Sequence, residues 1–167
     1  MSSEYLPGLA GVPATKSNIS SIDGEEGILA YRGYDIMELA EKSTFEETSL
    51  LLLDGCLPTQ AELDDFDAQL RAERRLKYKV RSIMKNLPTS GHPMEMLQTA
   101  VASLGMFYGG EEVLSDGVAG NDVDYIHSMS VKIISRMATI VAMWEHIRNG
   151  YDAIEPRDDL SHAANFL

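Results

Sequence analysis

The sequence predicts a mainly α fold with a small N-terminal β-hairpin, and three observations carry the prediction. Helix-start signals recur: Thr44 with Glu47 and Thr59 with Glu62 each set an acid three residues after a threonine, the pattern of a capping box. The apolar residues that follow return at helical spacing instead of alternating. Strand-like residues around turn chemistry occur convincingly only once, between Ser17 and Arg32.

Residues 1–16 form a Gly/Pro-rich lead-in with Pro7, Gly8, Gly11 and Pro13. Residues 17–34 form the hairpin, in which Ile19 and Ile22 lead into the turn residues Asp23 to Gly27 and Ile28-Leu29-Ala30-Tyr31 returns. A hairpin this small is marginal alone and must pack on something larger. Residues 35–167 are helical. Asp35 and Glu38 open a short helix to about Glu41, and Thr44 opens the next, which Gly55 stops in a left-handed conformation. Thr59 starts a third with Leu63, Phe66 and Leu70 as one stripe, and a fourth covers Tyr78 to Asn86, before Pro88. Pro93 sits at a first helical position, followed by Met94, Leu97, Val101 and Leu104 on one face. After a Gly- and acid-rich loop, Gly109 to Asp122, the longest helix runs from about Val123 to Arg148 and ends at Asn149-Gly150. Its apolar set is Ile126, Ile133, Met137, Ile140, Trp144 and Ile147, widened by Ile134, Val141 and Met143. So wide a stripe asks for a deep core or for a second subunit to cover it. Ser161 begins a last helix that Leu167 leaves after about two turns, so the polypeptide is expected to continue.

Composition bounds the function. The length of 167 residues suffices for one domain with a real core, and 44% hydrophobic with 24% charged residues is ordinary for a globular protein. A net charge of −12 argues against nucleic acid, whose phosphates are bound by lysine and arginine. Basic residues cluster once, at Arg71, Arg74, Arg75, Lys77, Lys79 and Arg81, and are read as a solvated helix–turn–helix edge ahead of an anion or partner contact. The single cysteine, Cys56, excludes an internal disulfide and a cysteine-ligated metal cluster, and its place at an apolar helix end suggests a buried spectator. The N-terminus has neither the basic start nor the apolar run of a secretory signal. The most apolar stretch, Ile133 to Ile147, is broken by Arg136, Glu145 and His146 and is too short to span a bilayer. A cytoplasmic location is expected.

Several strings, in one collinear order, resemble the N-terminal part of citrate synthases, particularly the shorter bacterial type. They begin with Leu6-Pro7-Gly8-Leu9 and Gly11-Val12-Pro13, then Ile22-Asp23-Gly24 and the most specific, Gly27-Ile28-Leu29-Ala30-Tyr31-Arg32-Gly33-Tyr34-Asp35-Ile36. Leu50-Leu51-Leu52, Leu57-Pro58-Thr59, His92-Pro93-Met94 and Ile133 to Ile140 follow, with Ala138 where the family usually has proline. Asp159 to Leu167 resembles a segment that in the family runs on into more helix. The resemblance implies part of a multi-helical, citrate-synthase-like large domain and a reaction joining acetyl-CoA to oxaloacetate to give citrate and CoA. That chemistry asks for a carboxylate base, two histidines and arginines on the dicarboxylate. In the family, the base and both histidines lie beyond the equivalent of Leu167, so no catalytic, cofactor-binding or metal-binding residue is assigned here. No cofactor is expected besides acetyl-CoA as co-substrate. The resemblance further implies a homodimer through helices near 93–108 and 123–148. A 2-methylcitrate synthase portion and a stand-alone, non-catalytic dimerisation module are the alternatives.

The reactive residues present have structural readings. His92 precedes a proline at a helix start and suits capping. His127 and His146 lie about 28 Å apart along one helix and cannot share a metal within one chain. His162, on the last helix, is structural, and Ser161-His162 is no nucleophile pair because neighbouring helical residues diverge. Arg32 is read as tying the hairpin to the first helix rather than as an anion ligand. The acids Glu111, Glu112, Asp116, Asp122 and Asp124 lack the pattern of a calcium loop, and Gly105 to Gly110 follows a helix, not the strand of a dinucleotide fingerprint.

Overall fold

The computed structural model describes residues 11–13, 15–108 and 123–167. The expectations for residues 1–10 and for the Gly109–Asp122 loop lie outside the described residues. Strands β1 (Ser20–Asp23), β2 (Ile28–Tyr31) and β3 (Tyr34–Asp35) form an antiparallel sheet in that order. Ser20 pairs with Tyr31, and Tyr31 in turn with Tyr34. The expected hairpin thus gains a third strand. Arg32 at φ 50° and Gly33 at φ 91° supply the two left-handed residues that a two-residue turn needs. Arginine rarely takes that conformation; here its guanidinium is held, with Nη2 donating to the Leu52 carbonyl at 2.8 Å. Arg32 therefore ties the sheet to the end of the second helix, not to the first as expected.

The helices start where the sequence places them. In α1 (Ile36–Lys42), the Asp35 carboxylate accepts from the Met37 N–H at 2.7 Å. Both expected capping boxes form, at Thr44 for α2 (Phe45–Asp54) and at Thr59 for α3 (Gln60–Glu73). In the second box, hydrogen bonds from Thr59 hold the Glu62 carboxyl below its usual range. Gly55, at φ 90°, closes α2. That turn carries Cys56 outward, so the cysteine is exposed rather than buried. The remaining helices among the described residues are α4 (Tyr78–Asn86), α5 (Pro93–Tyr108), α6 (Val123–Arg148) and the short α7 (His162–Phe166). His92 caps α5, its Nδ1 accepting from the Met94 N–H at 3.2 Å.

Among the described residues, two apolar clusters hold helices α2 to α6 together. Leu50, Phe66, Leu70 and Val131 join α2, α3 and α6. The larger cluster joins α4, α5 and α6 through Val80, Met84, Ala100, Leu104, Ile140 and Trp144, among others. On α5 the buried ridge is Met96, Ala100, Ser103 and Leu104, rotated from the expected face; Met94 is exposed, and Leu97 and Val101 are half-buried.

The α6 helix turns inward a face that the apolar pattern selects only in part, at Ile140, Met143 and Trp144. Val131, Ser135, Arg136, Thr139, Ile140, Met143 and Trp144 are buried, whereas Ile126, Ile133 and Val141 are exposed. The buried polar residues serve the end of α3. Ser135 Oγ donates to the Leu70 carbonyl, and Thr139 Oγ1 donates to the Arg74 carbonyl at 2.9 Å. Arg136 pairs with Glu73 and lies over the Tyr108 ring, 3.6 Å from its centroid. Arg136, read from sequence as breaking an apolar run, is thus buried and partnered.

Leu70 is fully buried where α2, α3 and α6 meet. Leu70→Ala should destabilise the chain by about 2–5 kcal/mol through lost burial and a cavity. Urea titration would register this as a lower midpoint at unchanged slope.

Candidate functional site

The outward face of α6 forms the floor of an apolar groove. Ile133, Ile134, Met137, Ala138 and Val141 line it from α6, Phe45 from the start of α2, and His162, Ala163 and Phe166 from α7. Its volume is about 520 Å³. A second hollow of about 470 Å³ lies between α6 and the first turns of α5, lined by Pro93, Met94, Met96 and Leu97 opposite Val141 and Trp144. Val141 and Phe166 belong to both, so one apolar surface crosses α5, α6 and α7. The stripe expected to need a cover is therefore divided. Ile140 and Trp144 enter the core, Met137 lines the groove, and Ile133 and Val141 are each 37% exposed on its floor.

His162 is the one titratable side chain lining the groove. It is buried, and its ring stacks on Phe45 with centroids 4.8 Å apart and planes 5° apart. Its backbone N–H donates to Glu46 Oε1 at 3.3 Å, while the Ser161 hydroxyl caps α7 by accepting from the Ala164 N–H. Burial pushes the His162 imidazole below its usual pKa; Glu46 and Asp67 oppose that shift and Arg74 reinforces it. The groove holds no nucleophile–base pair among its lining residues, so packing, rather than group transfer, is what it offers.

The other reactive residues stand apart from the groove. His127 Nε2 lies 3.2 Å from Asp54 Oδ1, and His146 meets Tyr151 edge to face at 6.2 Å. Among the described residues no group of three or more His, Cys, Asp or Glu side chains could hold a metal ion, and no helix is long and apolar enough to cross a membrane. The basic cluster differs from the solvated edge expected of it. Arg74 is 1% exposed, and Arg71, Arg75 and Arg81 engage the segment after α6. Sequence reasoning missed this because the acceptors lie some eighty residues away and three of them are backbone carbonyls.

Because His162 is buried with a depressed pKa, the unfolded chain takes up its proton first as pH falls. Stability should therefore be highest above the ordinary histidine value of 6.5 and decline as pH drops through it toward the lower folded value. Replacing the imidazole with a ring that does not titrate, His162→Phe, should flatten that part of the profile; urea midpoints measured from about pH 5 to pH 8 would check this.

Residues 8–167 match the family described as citrate synthase, C-terminal domain. A citrate synthase of Acidithiobacillus ferridurans is 60% identical over 98% of this chain and 42% of its own length. One from Synechocystis is 47% identical over 98% of this chain and 39% of its own. A 2-methylcitrate synthase of Mycobacterium tuberculosis is 37% identical over 96% of this chain. The crystal structure of citrate synthase from Pyrobaculum aerophilum superposes with a TM-score of 0.87 at 39% identity, over 95% of this chain and 40% of that one. The chain thus spans about two-fifths of the length of these relatives. With sequence, helix order and superposition in agreement, the chain belongs to the citrate synthase family.

Proposed function

We propose that this chain is the N-terminal portion of a cytoplasmic citrate synthase that feeds the tricarboxylic acid cycle, supplying scaffold and subunit contact while other parts of the enzyme do the chemistry. The whole enzyme joins acetyl-CoA to oxaloacetate and releases citrate and CoA, with no further cofactor. The observation that carries this reading is the continuous apolar surface across α5, α6 and α7. A monomer gains nothing by leaving Met94, Ile126, Ile133 and Val141 in water, whereas a second copy covering them does. The face lies on the two helices, 93–108 and 123–148, through which a homodimer is expected. Identities of 60% and 47% to the two bacterial citrate synthases, against 37% to the 2-methylcitrate synthase, favour acetyl-CoA over propionyl-CoA as the acyl donor.

Two measurements test the reading. The 167-residue chain alone should form no citrate from acetyl-CoA and oxaloacetate, while a polypeptide of its relatives' length that contains it should do so. Turnover by the chain alone would overturn the division of labour, and faster turnover of propionyl-CoA by the longer polypeptide would reassign the substrate. In light scattering, Val141→Glu should weaken self-association at least about tenfold, because a charge would then sit in a desolvated contact. An unchanged dimer would place the interface elsewhere.

A further inference from the structure

The segment between α6 and α7, residues 149–161, has no regular secondary structure, and Pro156 is its one buried residue. Four arginines from the α3–α4 corner hold it. Arg81 pairs with Glu155, Arg75 with Asp158 at 3.0 Å, and Arg71 Nη1 donates to the Asp158 carbonyl at 2.9 Å. These three contacts are at least partly exposed to water, where an ion pair contributes little and salt screens it.

Arg74 is different. Its side chain is fully buried, and Nη1 donates to two carbonyls of the segment, Arg157 at 2.6 Å and Leu160 at 3.1 Å. Nε and Nη2 make no hydrogen bond among the described residues. Its own carbonyl accepts from Thr139, so the backbone of Arg74 is fixed by α6 while its side chain fixes the segment. Leu160 is two residues before His162, which with Ala163 and Phe166 forms the α7 wall of the groove.

We propose that Arg74 is a positioning residue for the groove: its buried guanidinium latches residues 157–160 and thereby seats α7 against α2 and α6. A charge buried without a carboxylate partner is costly, and here its compensation comes from the two carbonyls that accept from Nη1. The fold keeps one guanidinium that satisfies both carbonyls. Lysine is a poor substitute, because a compact ammonium on a flexible stem does not hold the planar fork geometry. The latch itself rests only on the hydrogen bonds above; its consequence for self-association rests on the reading of the groove as a subunit contact.

Hydrogen exchange of the whole protein tests the latch directly. Arg74→Met should speed exchange at the amides of residues 158–166 about tenfold while α4 and α5 exchange as before. Arg74→Lys, the milder change, should fold and show the same selective loss in smaller degree. Arg75→Gln, which removes only an exposed pair, should stay within about twofold of the parent. No change in either Arg74 variant, a uniform rise over all helices, or an equal effect of Arg75→Gln would overturn the proposal. Light scattering of the same proteins separates the two readings. A parent chain that is monomeric refutes the subunit contact and leaves the latch to be decided by exchange. A dimeric parent whose Arg74 variants exchange selectively faster yet associate as tightly refutes the link from latch to groove.

Discussion

The end of α3 is the constraint on which the rest of the structure depends. A helix leaves its last carbonyls without partners inside the helix, and α3 ends in the protein interior with no glycine to turn it. Its carbonyls are met from outside instead: Leu70 by Ser135, Arg74 by Thr139, and Arg75 by the Tyr108 hydroxyl at 3.3 Å. Ser135 and Thr139 stand one turn apart on α6, so meeting two carbonyls fixes both the height and the rotation of that helix. Tyr108 adds the end of α5, accepting from the Lys77 N–H at 2.6 Å while its ring lies under Arg136. Three helices and the start of α4 are thereby held in one register by a polar seam within an otherwise apolar core.

From that seam the outer surface follows. Once Ser135 and Thr139 point at α3, the opposite side of α6 must carry Ile133, Met137 and Val141 outward, and the groove exists because α6 cannot be rotated to hide them. The same corner supplies the arginines that pin the connection to α7, so the floor and one wall of the groove are both set from α3. The floor and the α7 wall gain rigidity, because hydrogen bonds from Ser135, Thr139 and Arg74 fix them on their hidden side. Rigidity of that kind limits the ordering that association requires.

Local signals made much of the fold legible. Thr44, Thr59, Asp35, Gly55 and Pro93 each act within a few residues of themselves, and helix limits could be read from them before any packing was known. What escaped depends on partners remote in sequence. The left-handed Arg32 is stabilised by a carbonyl twenty residues away, so nothing nearby marks the third strand. Arg74 looks like one member of a basic run until the segment near Leu160 is placed over it. The face of α6 was legible only at Ile140, Met143 and Trp144, because counting apolar residues ignores hydroxyls, and elsewhere the hydroxyls decide. For the groove, the width of the stripe correctly signalled surplus apolar surface, but which residues were surplus required knowing where α3 ends.

Magnitudes show why the hydroxyls win. Turning α6 to bury Ile133 and Val141 would recover only what water still reaches, 37% of each. Full burial of such a side chain contributes about 1.5–3 kcal/mol, so the recoverable part is roughly 1 kcal/mol or less apiece. The same rotation would strip donors from the buried Leu70 and Arg74 carbonyls, at about 1–3 kcal/mol each. It would also draw Arg136 away from Glu73 and Tyr108. Losses therefore exceed gains for the isolated chain, and its apolar face stays outward. Covering that face by a second copy changes the balance without touching the seam, since the two-thirds of each side chain already buried stays buried and the exposed remainder is removed from water on both partners at once. On the proposed reading, association buries what the fold's own hydrogen bonding holds outside.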